Sequence, residues 1–228
     1  LGLMALCVLV AARLPAPPRN LGEKPPRANL RQFVTDRRWL GFLGGIFLFG
    51  SALAVLYIFF CLYLKTLGVG EGLFGAAIAV ASVSELPIFF LSAWMLRKWT
   101  ASGLIKTAFW AVMIRCFLYA VIRNPLGLIP VQLLHGLCFS AMWAASVNYV
   151  NELAPAGMGA SAQSLFGATL FGLGGAAGAL FGSQIYALLG PTALFQAAGV
   201  TALVGLVLFS ITELAFHKRT HPAATAQE

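Results

Sequence analysis

The chain has 228 residues, 60% of them hydrophobic and 10% charged, with mean hydropathy +0.86. A soluble domain carries roughly 25% charged residues, so a water-facing globule is excluded and a polytopic membrane protein is indicated. The net charge of +8 does not point to nucleic acid, because the basic residues lie between apolar runs.

In chain order, residues 1–12 read as the end of a spanning helix. They are too short to cross a bilayer alone, and no basic n-region or cleavage site marks a signal peptide. The chain therefore reads as a fragment of a longer protein. Residues 13–38 follow, rich in base and in proline (Pro15, Pro17, Pro18, Pro25, Pro26). Proline removes backbone donors and disfavours helix, so this stretch is predicted to be an exposed linker. Six apolar segments of spanning length come next, at 39–63, 73–96, 103–122, 126–149, 162–188 and 191–214, the last two joined by a Gly190-Pro191 turn. Residues 215–228 form a tail. The expected fold is thus an all-α membrane protein, a six-helix bundle at 39–214 plus the end of a preceding helix.

Alternating the loops across the bilayer places twelve Lys and Arg residues on the linker side and two, Lys65 and Arg123, on the other. By the bias of basic residues toward the cytoplasm, linker and tail are expected inside.

Three ionisable residues lie inside predicted spans. Glu85 sits in Ser84-Glu85-Leu86-Pro87, near the middle of the second segment. A carboxylate there costs about 3 kcal/mol unless neutral, paired or facing water. Arg115 lies midway along the third segment and cannot shed its charge. It needs a carboxylate, a carbonyl cluster or an anionic solute, and a fixed ion pair with Glu85 is one reading. His135, in the fourth segment, is cheaper to bury because neutral imidazole is available. At helical spacing its face continues through Phe139, Met142, Ser146 and Tyr149. Measured from the outer ends of their segments, the three residues differ in depth by under ~8 Å. Transporter sites lie at this depth. Tyr57, Met142 and Trp143 are candidates for the lining of a solute cavity. Glu152, at the cytoplasmic end of the fourth segment, opposes the helix dipole. Arg37, Arg38, Arg97 and Lys98 are its candidate partners at a gate.

The fifth segment carries Gly174, Gly178 and Gly182, a small-residue strip for close helix contact. Cys7, Cys61, Cys116 and Cys138 fall within apolar runs and fit neither a metal site nor a disulfide framework. No Walker A loop, HExxH, GxSxG or CxxC pattern is present, so an enzyme is not expected and neither catalytic residues, metal nor cofactor is assigned.

The chain resembles the C-terminal half of a major facilitator superfamily transporter. The resemblance rests on the basic, proline-rich linker before six helices and on Ser84-Glu85-Leu86-Pro87, Arg115, Leu134-His135-Gly136 and Glu152-Leu153-Ala154-Pro155. Ala162-Gln163 and Gly172-Leu173-Gly174-Gly175 complete it. More narrowly, it is similar to the branch holding phenylpropionate permeases, with nucleoside and lactose permeases as relatives. Lactose-type permeases carry Glu, Arg and His in their eighth, ninth and tenth helices, and Glu85, Arg115 and His135 match those positions in kind. A second carboxylate follows the His by one turn in that family and carries the proton. Cys138 stands at that place here, which leaves Glu85, or a group in the missing N-terminal half, for that role.

The resemblance implies a proton-coupled symporter in a bacterial inner membrane, importing a small organic solute such as an aromatic acid. Its partners would be solute, protons, the bilayer and the missing N-terminal half. Glu85, Arg115 and His135 would serve proton coupling. Arg115, His135, Tyr57, Met142 and Trp143 would serve solute binding, and Glu152 gating. A proton-antiporting exporter shares the fold, and a membrane scaffold that transports nothing is the rival of another class.

Overall fold

A computed structural model of the chain describes residues 35–220. The predicted helix end at 1–12, most of the predicted linker and the end of the tail lie outside the described residues. Every regular element described is helical, and five helical runs are long and apolar enough to cross a bilayer. We label them α1 (Arg37–Thr66), α2 (Glu71–Lys98), α3 (Ala101–Val121), α4 (Pro125–Leu153) and α5 (Gly159–Phe216). The protein is a multi-pass integral membrane protein.

Local chemistry sets the boundaries. Asp36 caps α1, its carboxylate accepting from the backbone N–H groups of Arg38 (2.7 Å) and Trp39 (3.0 Å). Thr100 caps α3 through Gly103 N–H at 3.1 Å. Asn124 caps α4, and Pro125 takes the first helical position, where its missing donor is not needed.

The predicted 162–188 and 191–214 segments are the two arms of α5. Its 58 residues break at Gly190, where φ is 80° and ψ −180°. A side chain with a Cβ would be strained at that φ, and Pro191 cannot donate back across the break. Before the break, Gly174, Gly178 and Gly182 meet α1 at Phe47, Ser51 and Phe59 in turn. After it the order reverses: Phe195 packs on Tyr63, Gly205 lies by Leu48, and Thr212 lies against Gly41. The two arms of α5 therefore run in opposite directions along α1. A Cβ at Gly174 would sit 2.9 Å from the Phe47 carbonyl oxygen, and one at Gly178 would clash with that of Ser51. The small-residue strip is thus filled by α1, and this close backbone contact is what glycine permits.

The core runs between α1, α3, α4 and both arms of α5. It holds Phe42, Phe49, Phe109, Phe166, Phe195 and Phe209, none more than 1% exposed. By contrast, α2 buries only Ala77, Ala81, Ser84 and Met95 of its 28 residues. It is attached along one narrow face, and that face carries the site.

Candidate functional site

The site is built around an irregular stretch of α4. Pro130 removes one helical donor, a 3-10 turn follows at Gln132–Leu134, and a π segment occupies Leu137–Ala141. His135 sits between the last two. Gly136 follows it, and the Gly136 N–H donates to Ser84 Oγ of α2 at 2.9 Å. With no side chain at Gly136, the Ser84 carbonyl comes into direct contact there. This contact delivers Glu85, the next residue of α2, to the imidazole.

His135 is held at both nitrogens. Arg115 Nη1 lies 2.8 Å from Nδ1. Glu85 Oε1 lies 3.0 Å and Tyr57 Oη 3.2 Å from Nε2. A guanidinium can only donate, so Nδ1 must accept and Nε2 carries the proton of the neutral ring. That N–H donates to the Glu85 carboxylate. His135 in this tautomer is a neutral bridge between a cation and an anion that do not themselves touch.

The remaining donors of Arg115 are also engaged. Nη2 donates to Gln132 Oε1, and Nε donates to Tyr119 Oη at 3.1 Å. Gln132 Nε2 donates to the same Tyr119 oxygen at 2.6 Å, which orients its amide. Arg115 is 3% exposed and His135 5%, whereas the Glu85 side chain is 23% exposed. Tyr57 is half exposed and stands edge-on to the imidazole, its ring centroid 5.3 Å away.

Glu85, Arg115, His135 and Tyr57 are therefore brought together, and Trp143 joins them at one remove. Phe139 stacks 6.4 Å from His135, Trp143 stacks 6.3 Å from Phe139, and Phe171 of α5 lies 5.8 Å from Trp143. Met142 does not line this face. It is 1% exposed, belongs to the core, and its sulfur accepts from Ser146 Oγ at 3.1 Å. The π segment is the reason. Its wider turns rotate everything downstream, so the face of His135 continues through Phe139 and Trp143 while Met142, Ser146 and Tyr149 turn inward.

Glu152 is exposed and borders a polar cleft with Arg38, Lys106 and Glu213. Of its expected partners, Arg38 is taken by Glu213, with Nε to Oε1 at 2.9 Å and Nη2 to Oε2 at 3.3 Å. Tyr149 Oη donates to Glu213 Oε1 at 2.6 Å and accepts from Arg38 Nε at 3.1 Å. This cluster joins the start of α1, the end of α4 and the end of α5. Glu213 is not among the residues that the sequence singles out at mid-depth, although it is the only charged residue in 191–214. Tyr119 and Gln132 were passed over as ligands of Arg115; Tyr119 stands one turn from it, the one cue available. Replacing Glu213 with glutamine leaves Arg38 and Tyr149 facing a weaker acceptor. The expected loss is about 1–2 kcal/mol in unfolding in detergent, and unchanged stability would show that the cluster ties nothing.

Residues 12–197 match the family model described as "MFS_1 like family". The chain is 24% identical over 184 residues to Major facilitator superfamily domain-containing protein 6-like protein A of Xenopus laevis, covering 76% of this chain and 30% of that protein. With Major facilitator superfamily domain-containing protein 6-like of Mus musculus it shares 25% identity over 164 residues, 72% of this chain and 28% of the relative. The chain thus spans about 30% of the length of the curated relatives it matches. No solved structure matches it. The matched span takes in every residue of the Glu85–His135–Arg115 bridge, and the protein belongs to the MFS_1 like family of the major facilitator superfamily.

Proposed function

We propose that this chain is the C-terminal part of a secondary transporter for a small organic solute, coupled to protons at Glu85. The observation that carries the reading is the Glu85–His135–Arg115 bridge, an acid kept within reach of the exterior and tied to a sealed cation through a neutral imidazole. The opposed arms of α5 support counting it as two spans, six in all. The excess of basic residues on the linker side supports a cytoplasmic linker and tail. A missing N-terminal half would complete the solute site. The resemblance to phenylpropionate permeases supports import by symport in a bacterial inner membrane.

In this reading Glu85 takes up and releases the coupling proton. His135 donates its Nε2–H to the ionised carboxylate. Arg115 holds a fixed positive charge on the far side of the ring and cannot take the proton itself. Tyr57 Oη offers Nε2 a second partner, so the imidazole keeps a hydrogen bond when Glu85 is neutral. Alternating access then exposes the carboxylate to each side in turn. Tyr57 and Trp143 contact solute, and Glu152 contributes to the cytoplasmic closure.

The test is Glu85→Gln in the full-length protein. It is expected to abolish proton-driven accumulation while leaving exchange of solute measurable at raised solute concentration. Normal uphill uptake by this variant rejects the reading. A scaffold that transports nothing would instead tolerate Glu85→Ala, Arg115→Ala and His135→Ala apart from effects on folding.

One observation favours a second reading, export by antiport. Arg115 and His135 are sealed, so proton and solute would meet at the same accessible carboxylate. Mutual displacement there is exchange. The direction of solute flux in inverted vesicles separates the two.

A further inference from the structure

We infer that this face selects an organic cation with an aromatic or apolar body, and disfavours a carboxylate. The inference rests on the transport reading above, in its antiport form, where proton and solute share Glu85, and deepens it by naming the class of solute. It departs from the aromatic acid that the resemblance implies.

The argument turns on which charge is reachable. Arg115, the cation nearest the site, is 3% exposed, and its guanidinium is engaged by Tyr119, His135 and Gln132. A solute carboxylate reaches it only by breaking that network. His135 presents no cation either, because its Nδ1 lone pair is occupied by the Arg115 donor. What the face does present is an acceptor pair, the partly exposed Glu85 carboxylate and the half-exposed Tyr57 hydroxyl. The exposed bases on the helices carrying this pair are remote. Arg97 lies twelve residues along α2 from Glu85, about 18 Å, and Lys65 eight residues along α1 from Tyr57, about 12 Å.

From the His135 ring an aromatic row runs on through Phe139, Trp143 and Phe171. Phe139 and Trp143 are partly exposed, and Phe171 is half exposed. Aromatic faces beside a carboxylate attract ammonium groups through the ring quadrupole and accept apolar rings by stacking. An anion at the same place meets a like charge and no accessible counter-charge, which is how a site rejects a competitor. The same arrangement gives each part of the solute a place. The ammonium lies at Glu85 and Tyr57, and the apolar body lies along Phe139, Trp143 and Phe171.

The test is equilibrium binding to the purified full-length protein, without a proton gradient. The probes are 2-phenylethylammonium and 3-phenylpropionate, similar in ring and chain but opposite in charge. The cation is expected to bind at least about tenfold tighter than the anion. Glu85→Gln should remove that preference, and Trp143→Ala should weaken the cation several-fold, roughly what one lost cation–aromatic contact gives. Glu85→Asp keeps the charge and should keep the preference, which separates loss of recognition from loss of fold. Equal or tighter binding of the anion, a preference that survives Glu85→Gln, or no binding of either probe overturns the inference. Because no gradient is used, selective cation binding without coupled flux would count against the transport reading alone. Coupled flux without cation preference would count against this inference alone.

Discussion

Replacing Arg115 with methionine is expected to destabilise the protein by about 3–5 kcal/mol, the range for breaking a buried, hydrogen-bonded charge network. The side chain lost is a hub. Without it Gln132 Oε1 and His135 Nδ1 lose their donor and Tyr119 Oη loses one of two, all within a nearly sealed region. Glu85 loses the positive charge that balances it through the imidazole. Methionine restores volume and none of the donors. Arg115→Lys should fall between wild type and Arg115→Met, because an ammonium is a point donor and cannot span Tyr119, His135 and Gln132 as a planar fork does. Thermal unfolding in detergent reads both. If Arg115→Met melts with wild type, the network is not a source of stability. If Arg115→Lys equals wild type, the fork geometry is irrelevant.

The second large effect belongs to a glycine. Gly136→Ala places a Cβ against the Ser84 carbonyl, 2.7 Å from its carbon and 3.1 Å from Ile88 Cγ1. Backbone cannot yield as a flexible side chain does, so α2 must move away from α4. Overpacking of this kind costs about 1–3 kcal/mol. The functional consequence should exceed the energetic one. With so few buried residues of its own, α2 relies on this contact, and Glu85 is next to Ser84 in the chain. A shift that opens the 3.0 Å Glu85–His135 contact should remove the coupled transport proposed above even in protein that remains folded. Gly172→Ala is the control. Nothing lies within 4 Å of a Cβ there, so near-wild-type stability and uptake are expected. Equal behaviour of the two variants would show that the α2–α4 approach does not set the site.

Much of this protein is legible from its residues because a bilayer imposes a strong local code. The apolar runs in the sequence end within a few residues of the helices they form, as runs of that length and composition have few alternatives in lipid. An acid, a base and an imidazole inside such runs announce themselves, and rough equality of depth follows from counting residues. Glu85, Arg115 and His135 were legible for that reason. Glu213 obeys the same logic but lies near a helix end, where a charge looks ordinary.

What the sequence determined by itself is therefore the class of protein, the position of its apolar helices and the ionisable residues at mid-depth. Only the tertiary structure decided how those residues are ordered. His135 lies between Arg115 and Glu85, Arg115 is sealed by Tyr119 and Gln132, and Glu85 alone of the three remains partly exposed. Helical periodicity placed Met142 on the face of His135, and the π segment at Leu137–Ala141 turned it into the core and brought Trp143 forward. The physical reason is common to these cases. Hydropathy is a property of neighbours in the chain, whereas register, exposure and hydrogen-bond partners depend on how closely one helix approaches another. At this site that distance is set by a hydrogen atom at Gly136, where any other residue would bring a side chain.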